Sequence, residues 1–313
     1  MKEKEITKLG LIGVGSWGKN YIKTISALKG VTLSKVGCRD ERKIDFIDKE
    51  CQIYTSWKEL IDSGGIDGLI VAVPPDVQYQ IARYAIKKKL PLLLEKPLTT
   101  DLNKARHLCE LANNTMTPVL VDHIYLFHPA YKFIKSILTN SNNINKIVCR
   151  RGKWGPFRNN VSTLWDWAPH DIAMCIDLVG EYPSNIESSI YDREKVGNNI
   201  GEIIKLKLFF ADKTEALITI GNIFREQERL FYVEHDNEEL IFDDLAKQKL
   251  VNRKRDCEKP ISIPDEMPLS VLVNTFINGI KGGDKSMFGL EQSMKIVEII
   301  ADAEGKLLES ISG

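Results

Sequence analysis

The stretch Lys8–Gly18, KLGLIGVGSWG, limits what this chain can fold into more than any other part of it. Leu9, Leu11, Ile12 and Val14 form an apolar run that reads as a buried parallel strand. Gly13, Gly15 and Gly18 follow with G-x-G-x-x-G spacing, and Trp17 to Leu28 continues at helical period. In a strand–turn–helix setting the first glycine permits the tight turn. The second lets backbone approach a pyrophosphate, and the third lets the helix lie close to the strand. The new helix start offers free N–H groups and a positive dipole end to phosphates. Gly13, Gly15, Ser16, Trp17 and Gly18 are therefore candidate dinucleotide contacts.

Strands and helices then alternate. Val31–Val36 reads as a second strand, ending near Cys38-Arg39-Asp40, about 20 residues past the last glycine, where such folds read the adenosine ribose. A small Cys38 followed by the Arg39 guanidinium favours the 2′-phosphate of NADP, while Asp40 keeps NAD open. Ile66–Val73 is a third strand, closed by Pro74-Pro75, with Asp76 expected to cap a helix over Val77–Lys89. Leu90–Leu94 is a fourth, ending in Glu95-Lys96-Pro97. A helix over Asp101–Leu111 and a strand over Pro118–Asp122 complete a parallel doubly wound sheet. Val73, Pro74, Pro75, Glu95 and Lys96 fall with the glycine turn at its C-terminal edge, and all are read as cofactor contacts.

Beyond Asp122 the texture changes. Pro129–Leu138 reads as a helix and NSNNIN (140–145) as a loop. Strand-like runs follow at Ile144–Arg151, Ile186–Tyr191, Ile203–Phe210, Thr214–Ile220, Leu230–Glu234 and Glu239–Phe242, some with half-buried alternation. VNRKRDCEK (251–259) reads as a solvated loop, and Met267–Ile280 and Leu290–Leu308 as helices. The expectation is a Rossmann domain over 1–122 and an α+β domain on a largely antiparallel open sheet over 123–313. A chain of 313 residues fits two domains of this size. Its 43 basic residues balance 43 acidic ones, which gives no reason to expect nucleic acid or a membrane as partner. The six cysteines are scattered, without metal-ligand spacing, so reduced thiols and no metal site are expected. Without a signal-peptide core or an apolar run of about 20 residues, the chain reads as soluble and cytoplasmic.

Two places carry residues suited to chemistry. Lys96, at a strand end, could hydrogen-bond a substrate oxygen and stabilise an alkoxide, and Pro97 fits a cis peptide there. In Trp165-Asp166-Trp167-Ala168-Pro169-His170-Asp171, Pro169 suits the first turn of a helix running to Val179. Asp166 and His170, four apart, can share one side, where a carboxylate would orient an imidazole that accepts a proton. Asp171 reads as a first-turn dipole partner. Tyr125 and His128 are candidate substrate contacts, with His123 weighed beside them. Arg158 could meet a phosphate or carboxylate, or form a structural salt bridge.

Together these residues resemble the Gfo/Idh/MocA family, the glucose–fructose oxidoreductase and inositol dehydrogenase group. The likeness rests on Gly13-x-Gly15-x-x-Gly18, Pro74-Pro75, Glu95-Lys96-Pro97 and Asp166-x-x-x-His170, in that order. It implies a Rossmann domain followed by an open-sheet α/β domain, often buried in dimers or tetramers, so a homodimer or homotetramer is expected. It also implies Lys96, Asp166 and His170 as the catalytic trio, with His170 the proton acceptor. Three positions depart from the family pattern: Ala173 where an Asp is common, Gln78 where a His is common, and Leu126 where an Arg is common. They leave the reaction in place and detach it from any particular substrate. GPFR (155–158) and LWDWAPHD (164–171) resemble a branch tied to polysaccharide and nucleotide-sugar metabolism. The resulting expectation is an NAD(P)-dependent oxidoreductase, NADP preferred, acting on a secondary alcohol or ketone of a sugar, a nucleotide sugar first. Alternatives are a polyol, inositol or linear tetrapyrrole substrate, a non-catalytic NAD(P)-binding sensor, or a ligand-free scaffold.

Overall fold

The computed structural model describes residues 6–40, 47–138, 144–158, 161–211, 213–255, 257–286 and 288–312. Most of the expected loop at 140–145 lies outside them. The chain forms two compact units, Met1–Ile124 with Met267–Met294, and Tyr125–Glu266 with Lys295–Gly313.

The first unit is built on six strands: β1 (Thr7–Ile12), β2 (Val31–Gly37), β3 (Gln52–Tyr54), β4 (Gly68–Val71), β5 (Leu92–Leu94) and β6 (Val119–Val121). All pair in parallel, in the order β3-β2-β1-β4-β5-β6. Helices α1 (Ser16–Ala27), α2 (Trp57–Asp62), α3 (Pro75–Lys87) and α4 (Leu102–Thr115) alternate with them. Leu9, Leu11, Leu69, Ile70, Val71 and Leu92–Leu94 are fully buried, as unbroken apolar strands covered on both faces must be. The strand order reverses between β1 and β4, so ligand chemistry belongs at their C-terminal ends.

Details differ from the sequence expectation where local caps decide. Asp76 lies inside the first turn of α3 and does not cap it. Pro74 is the N-cap residue and Pro75 opens the helix, its fixed φ suiting that position. Asp101 does cap α4, accepting from the Asn103 and Lys104 amides at 2.8 and 3.1 Å.

Helix α7 (Pro268–Ile280) also belongs to this unit, whereas the sequence reading assigns it to the second domain. Phe276 is fully buried, and a Cβ built on Gly68 would meet its ring carbons at 2.8 Å. The glycine in β4 leaves room for that ring.

The second unit carries eight strands: β7 (Ile144–Trp154), β8 (Asn185–Val196), β9 (Asn199–Phe209), β10 (Glu215–Gly221), β11 (Ile223–His235), β12 (Glu238–Asp243), β13 (Leu250–Lys254) and β14 (Cys257–Pro260). Their order is β14-β13-β12-β11-β7-β10-β9-β8, antiparallel except for β7 with β10. Phe242, Phe231, Cys149, Ile218 and Leu206 sit side by side in register, all buried. That row marks the face covered by helices, α5 (Pro129–Leu138) against β12 and α6 (Thr163–Val179) against β7, β9 and β10.

The expected loop at 251–259 is instead the β13–β14 hairpin, turning through Arg255 at φ +52°. Backbone pairing holds it, and every residue of β14 is exposed. A sheet edge with no core to cover shows no alternation, and its charged side chains discourage pairing with another chain.

Candidate active site

In the first unit two of the three glycines meet a steric demand of the fold, and the third leaves open space. Gly13 stands at φ +99°, and a Cβ there would come 2.3 Å from the Ala72 carbonyl oxygen. A Cβ on Gly18 would lie 2.0 Å from the Gly13 carbonyl oxygen. Gly15 has open space around its Cβ position, at the N-cap of α1. No side chain caps α1 and its first turn has no acidic residue, so the amides around Ser16, Trp17 and Gly18 suit a phosphate. At the end of β2 the buried Cys38 thiol points to the Asp40 carbonyl at 3.2 Å, and Arg39 is exposed.

Lys96 follows β5, before a cis Lys96–Pro97 peptide of the kind the sequence suggests. The segment is held by Gln78 of α3, which is almost fully buried. Its amide nitrogen donates to the carbonyls of Glu95, Pro97 and Leu98 at 2.7–3.2 Å, and its oxygen accepts from the Glu95 amide at 3.1 Å. Gln78 thus fixes the backbone on both sides of Lys96.

Beside Lys96 lies a buried acidic cluster. Tyr21 of α1 donates to Asp122 Oδ2 at 2.6 Å, and Glu95 and Asp122 are both nearly inaccessible. Burial first, and the Asp122 charge second, raise the Glu95 pKa well above the ordinary carboxyl range. Burial also raises that of Asp122, to about 6, against the hydrogen bonds from Tyr21 and Glu95 and the Lys96 charge. Next to it, His123 bonds Ser293 Oγ through Nε2 at 3.0 Å. Burial first, and the Lys96 charge second, lower its pKa to about 4. His123 is therefore a neutral imidazole packed in the first unit.

In the second unit α6 begins at Thr163, so Pro169 lies within the helix, not in its first turn as the sequence suggests. The apolar run Leu164, Trp165, Ala168, Ile172 and Cys175, all buried, carries the helix through the proline. Gly180 ends it at φ +79°. Asp166, His170 and Asp171 therefore all project from a continuous helix. Asp166 accepts from Arg158 Nε at 2.9 Å, the salt-bridge alternative for Arg158. His170 is buried, its ring edge-on to Tyr125 with centroids 5.3 Å apart.

Asp171 is no first-turn dipole partner. It lies mid-helix, fully buried, and takes three hydrogen bonds of 2.8–3.0 Å from the buried Arg151. Burial opposes the Arg151 charge, and Asp171 more than offsets it. The guanidinium of Arg151 lies 4.0 Å from the Tyr125 ring centroid. Tyr125 in turn donates to Asp244 Oδ2 at 3.2 Å. Asp244 also faces His128 Nε2 at 3.5 Å and Lys249 at 2.7 Å. Burial works against its charge, yet these donors hold its carboxyl well below the usual range.

Next to Asp166 lies a groove of about 330 Å³, lined by Phe157, Arg158, Asp166, Trp167, Asn199 and Asn222 among others. Amides, a carboxylate, a guanidinium and aromatic rings together suit a polyhydroxylated ligand.

Gln78, Asp122, Arg151, Asp171 and Asp244 are the site residues that sequence reading missed as such. Arg151 carried a usable signal: it continues the alternation Ile147, Cys149, Arg151 on a buried face, where a charge requires a partner. Asp122 ends an apolar strand beside another acidic strand end, which only the sheet order reveals.

A six-stranded parallel sheet in this order, with a glycine turn of this shape, defines a dinucleotide-binding Rossmann fold. Residues 7–123 match the family described as "Oxidoreductase family, NAD-binding Rossmann fold". A crystal structure of a presumed oxidoreductase from Magnetospirillum magnetotacticum MS-1 is 30% identical, covering 95% of this chain and 99% of that one, with a TM-score of 0.87. The chain belongs to the Gfo/Idh/MocA family of oxidoreductases. UDP-N-acetylglucosamine 3-dehydrogenase of Acidithiobacillus ferrooxidans is 23% identical over 58% of this chain and 57% of its own. Its solved structure, 18% identical by that alignment, shares the fold over 96% of this chain and 98% of its own, with a TM-score of 0.84. Inositol 2-dehydrogenase of Corynebacterium glutamicum is 25% identical over 46% of this chain and 44% of its own. The chain spans about half the length of most curated relatives it matches.

Proposed function

We propose that this protein is an NAD(P)-dependent oxidoreductase that interconverts a secondary alcohol and a ketone on a sugar, a nucleotide sugar foremost. The observation that carries this is the presentation of Lys96 at the end of β5, clamped by Gln78, in the sheet whose glycine turn suits a dinucleotide. The nicotinamide, when bound, supplies or takes up the hydride. Lys96 hydrogen-bonds the reacting oxygen and stabilises its alkoxide character. His170 takes the hydroxyl proton in oxidation and returns it in reduction. Asp166, one helical turn before His170, favours the imidazolium that forms. Tyr125 and His128, with Arg158 and its groove, contact the rest of the substrate. NADP is preferred to NAD because Arg39 is exposed where a 2′-phosphate would sit. The protein works in the cytoplasm, as a homodimer or homotetramer.

The test is steady-state turnover with a panel of nucleotide sugars and polyols, alongside nucleotide binding by calorimetry. Lys96→Ala and His170→Ala each lower kcat by about 100-fold or more while nucleotide affinity stays near that of the unmodified enzyme. Unchanged kcat in either variant removes that residue from the mechanism, and tighter binding of NAD than NADP overturns the cofactor preference. Nucleotide binding without turnover on any substrate favours a sensor.

A further inference from the structure

Two carboxyl groups buried next to each other cannot both stay ionised without a compensating charge or proton. Glu95 and Asp122 are in that position. β5 and β6 pair in register through Leu94 and Val121, and the Asp122 amide donates to the Leu94 carbonyl at 2.7 Å. The residues that follow these partners, Glu95 and Asp122, therefore leave the sheet edge side by side. Each is 7% exposed or less.

Their hydrogen bonding is incomplete in one specific way. Asp122 Oδ2 accepts from Tyr21. Asp122 Oδ1 and Glu95 Oε1 are both buried, and neither has a donor among the described residues. A single proton held between the two carboxyls satisfies both oxygens.

The surroundings fix the charge count. From α1, Tyr21 faces the pair as a neutral phenol whose proton burial and the two acids hold in place. From α3, Gln78 bonds backbone groups, those of Glu95, Pro97 and Leu98. From the end of β6, His123 is neutral, its Nε2 engaged with Ser293 of the C-terminal helix α8 (Glu291–Ser312). The charged group that acts on Glu95, Asp122 and His123 alike is Lys96. One proton on the pair leaves one negative charge, which balances the one positive charge of Lys96.

We propose that Glu95 and Asp122 work as a one-proton pair, a positioning device that gives Lys96 a single buried counter-charge. The role for Lys96 rests on the oxidoreductase function above; the sharing of the proton does not. Glu95 is the donor of the pair and Asp122, anchored by Tyr21, the acceptor.

The two halves are tested separately. Difference infrared spectroscopy of the unliganded protein at pH 7, in H2O and D2O, reads the proton directly. The expected result is a protonated-carboxyl band that disappears in Glu95→Gln. Its absence from the wild-type spectrum overturns the proposal. The pH dependence of Tm gives an independent reading. A carboxyl held protonated in the fold adds stability below its unfolded pKa of about 4.3 and loses it as pH rises through the higher folded value. Raising the pH above about 5 therefore lowers Tm more in the wild type than in Glu95→Gln.

For Lys96 the test is a double-mutant cycle on kcat. Glu95→Gln keeps the charge on Asp122, and Asp122→Asn lets Glu95 ionise, so each single variant lowers kcat by only about 5-fold, and effects that merely add would lower it about 25-fold in the double variant. The double variant has no carboxylate and loses about 100-fold. Additive effects, as from packing damage alone, overturn the positioning role. A carboxyl band in a wild-type protein without turnover on any substrate overturns the oxidoreductase function and leaves the shared proton supported.

Discussion

At the scale of single residues, the strongest electrostatic commitment in the second unit is Arg151 with Asp171. Both are buried, and their three mutual hydrogen bonds satisfy most of what each needs. Such a pair adds little over a well-packed apolar substitute, but breaking it is costly because a bare charge stays behind. Arg151→Met alone strands Asp171 and is expected to cost about 3–5 kcal/mol, measured by urea unfolding. Adding Asp171→Leu recovers most of that loss, and a double variant as unstable as the single would show that the pair holds the fold by more than charge. Because Arg151 also underlies Tyr125, which meets His170 edge-on, the double variant is expected to lower kcat even when it folds well.

At the scale of elements, the glycine turn separates two reasons for a missing side chain. Gly13 is required by the fold: its φ is +99° and its Cβ would strike backbone. Gly15, at φ −68° with empty space around it, is required only by what approaches. Gly13→Ala is therefore expected to lower stability by about 2 kcal/mol or more, from strain and from backbone that must move. Gly15→Ala leaves Tm unchanged and weakens nucleotide binding about 10-fold or more. Equal effects of the two on Tm would contradict this division. The same scale shows what the sequence made legible. The parallel strands were readable because covered strands are apolar without interruption, and the turn because three glycines share one geometry. β3, α2 and the β13–β14 hairpin were not. The first two are only three and six residues long, below the length at which periodicity speaks. The hairpin buries Leu250 alone among its described residues, too little to leave a pattern to read. In the site, Lys96 and His170 stood out through motif order, whereas the Asp122 and Arg151 partnerships join residues far apart in sequence.

At the scale of the whole molecule, the nucleotide-binding unit is discontinuous. α7 returns to it after the second unit's strands, and Phe276 fills the room left by Gly68. Phe276→Ala is expected to cost about 3–5 kcal/mol, since a fully buried ring is lost and a glycine site cannot collapse onto the cavity. Chemical denaturation followed by tryptophan fluorescence checks this; a loss below about 1 kcal/mol would mean that α7 is dispensable to the unit. During synthesis, residues 125–266 leave the ribosome before the helix that completes the first sheet. The strands of the first unit therefore wait for a helix made after the whole of the second unit's sheet, the seat beside Gly68 uncovered until then.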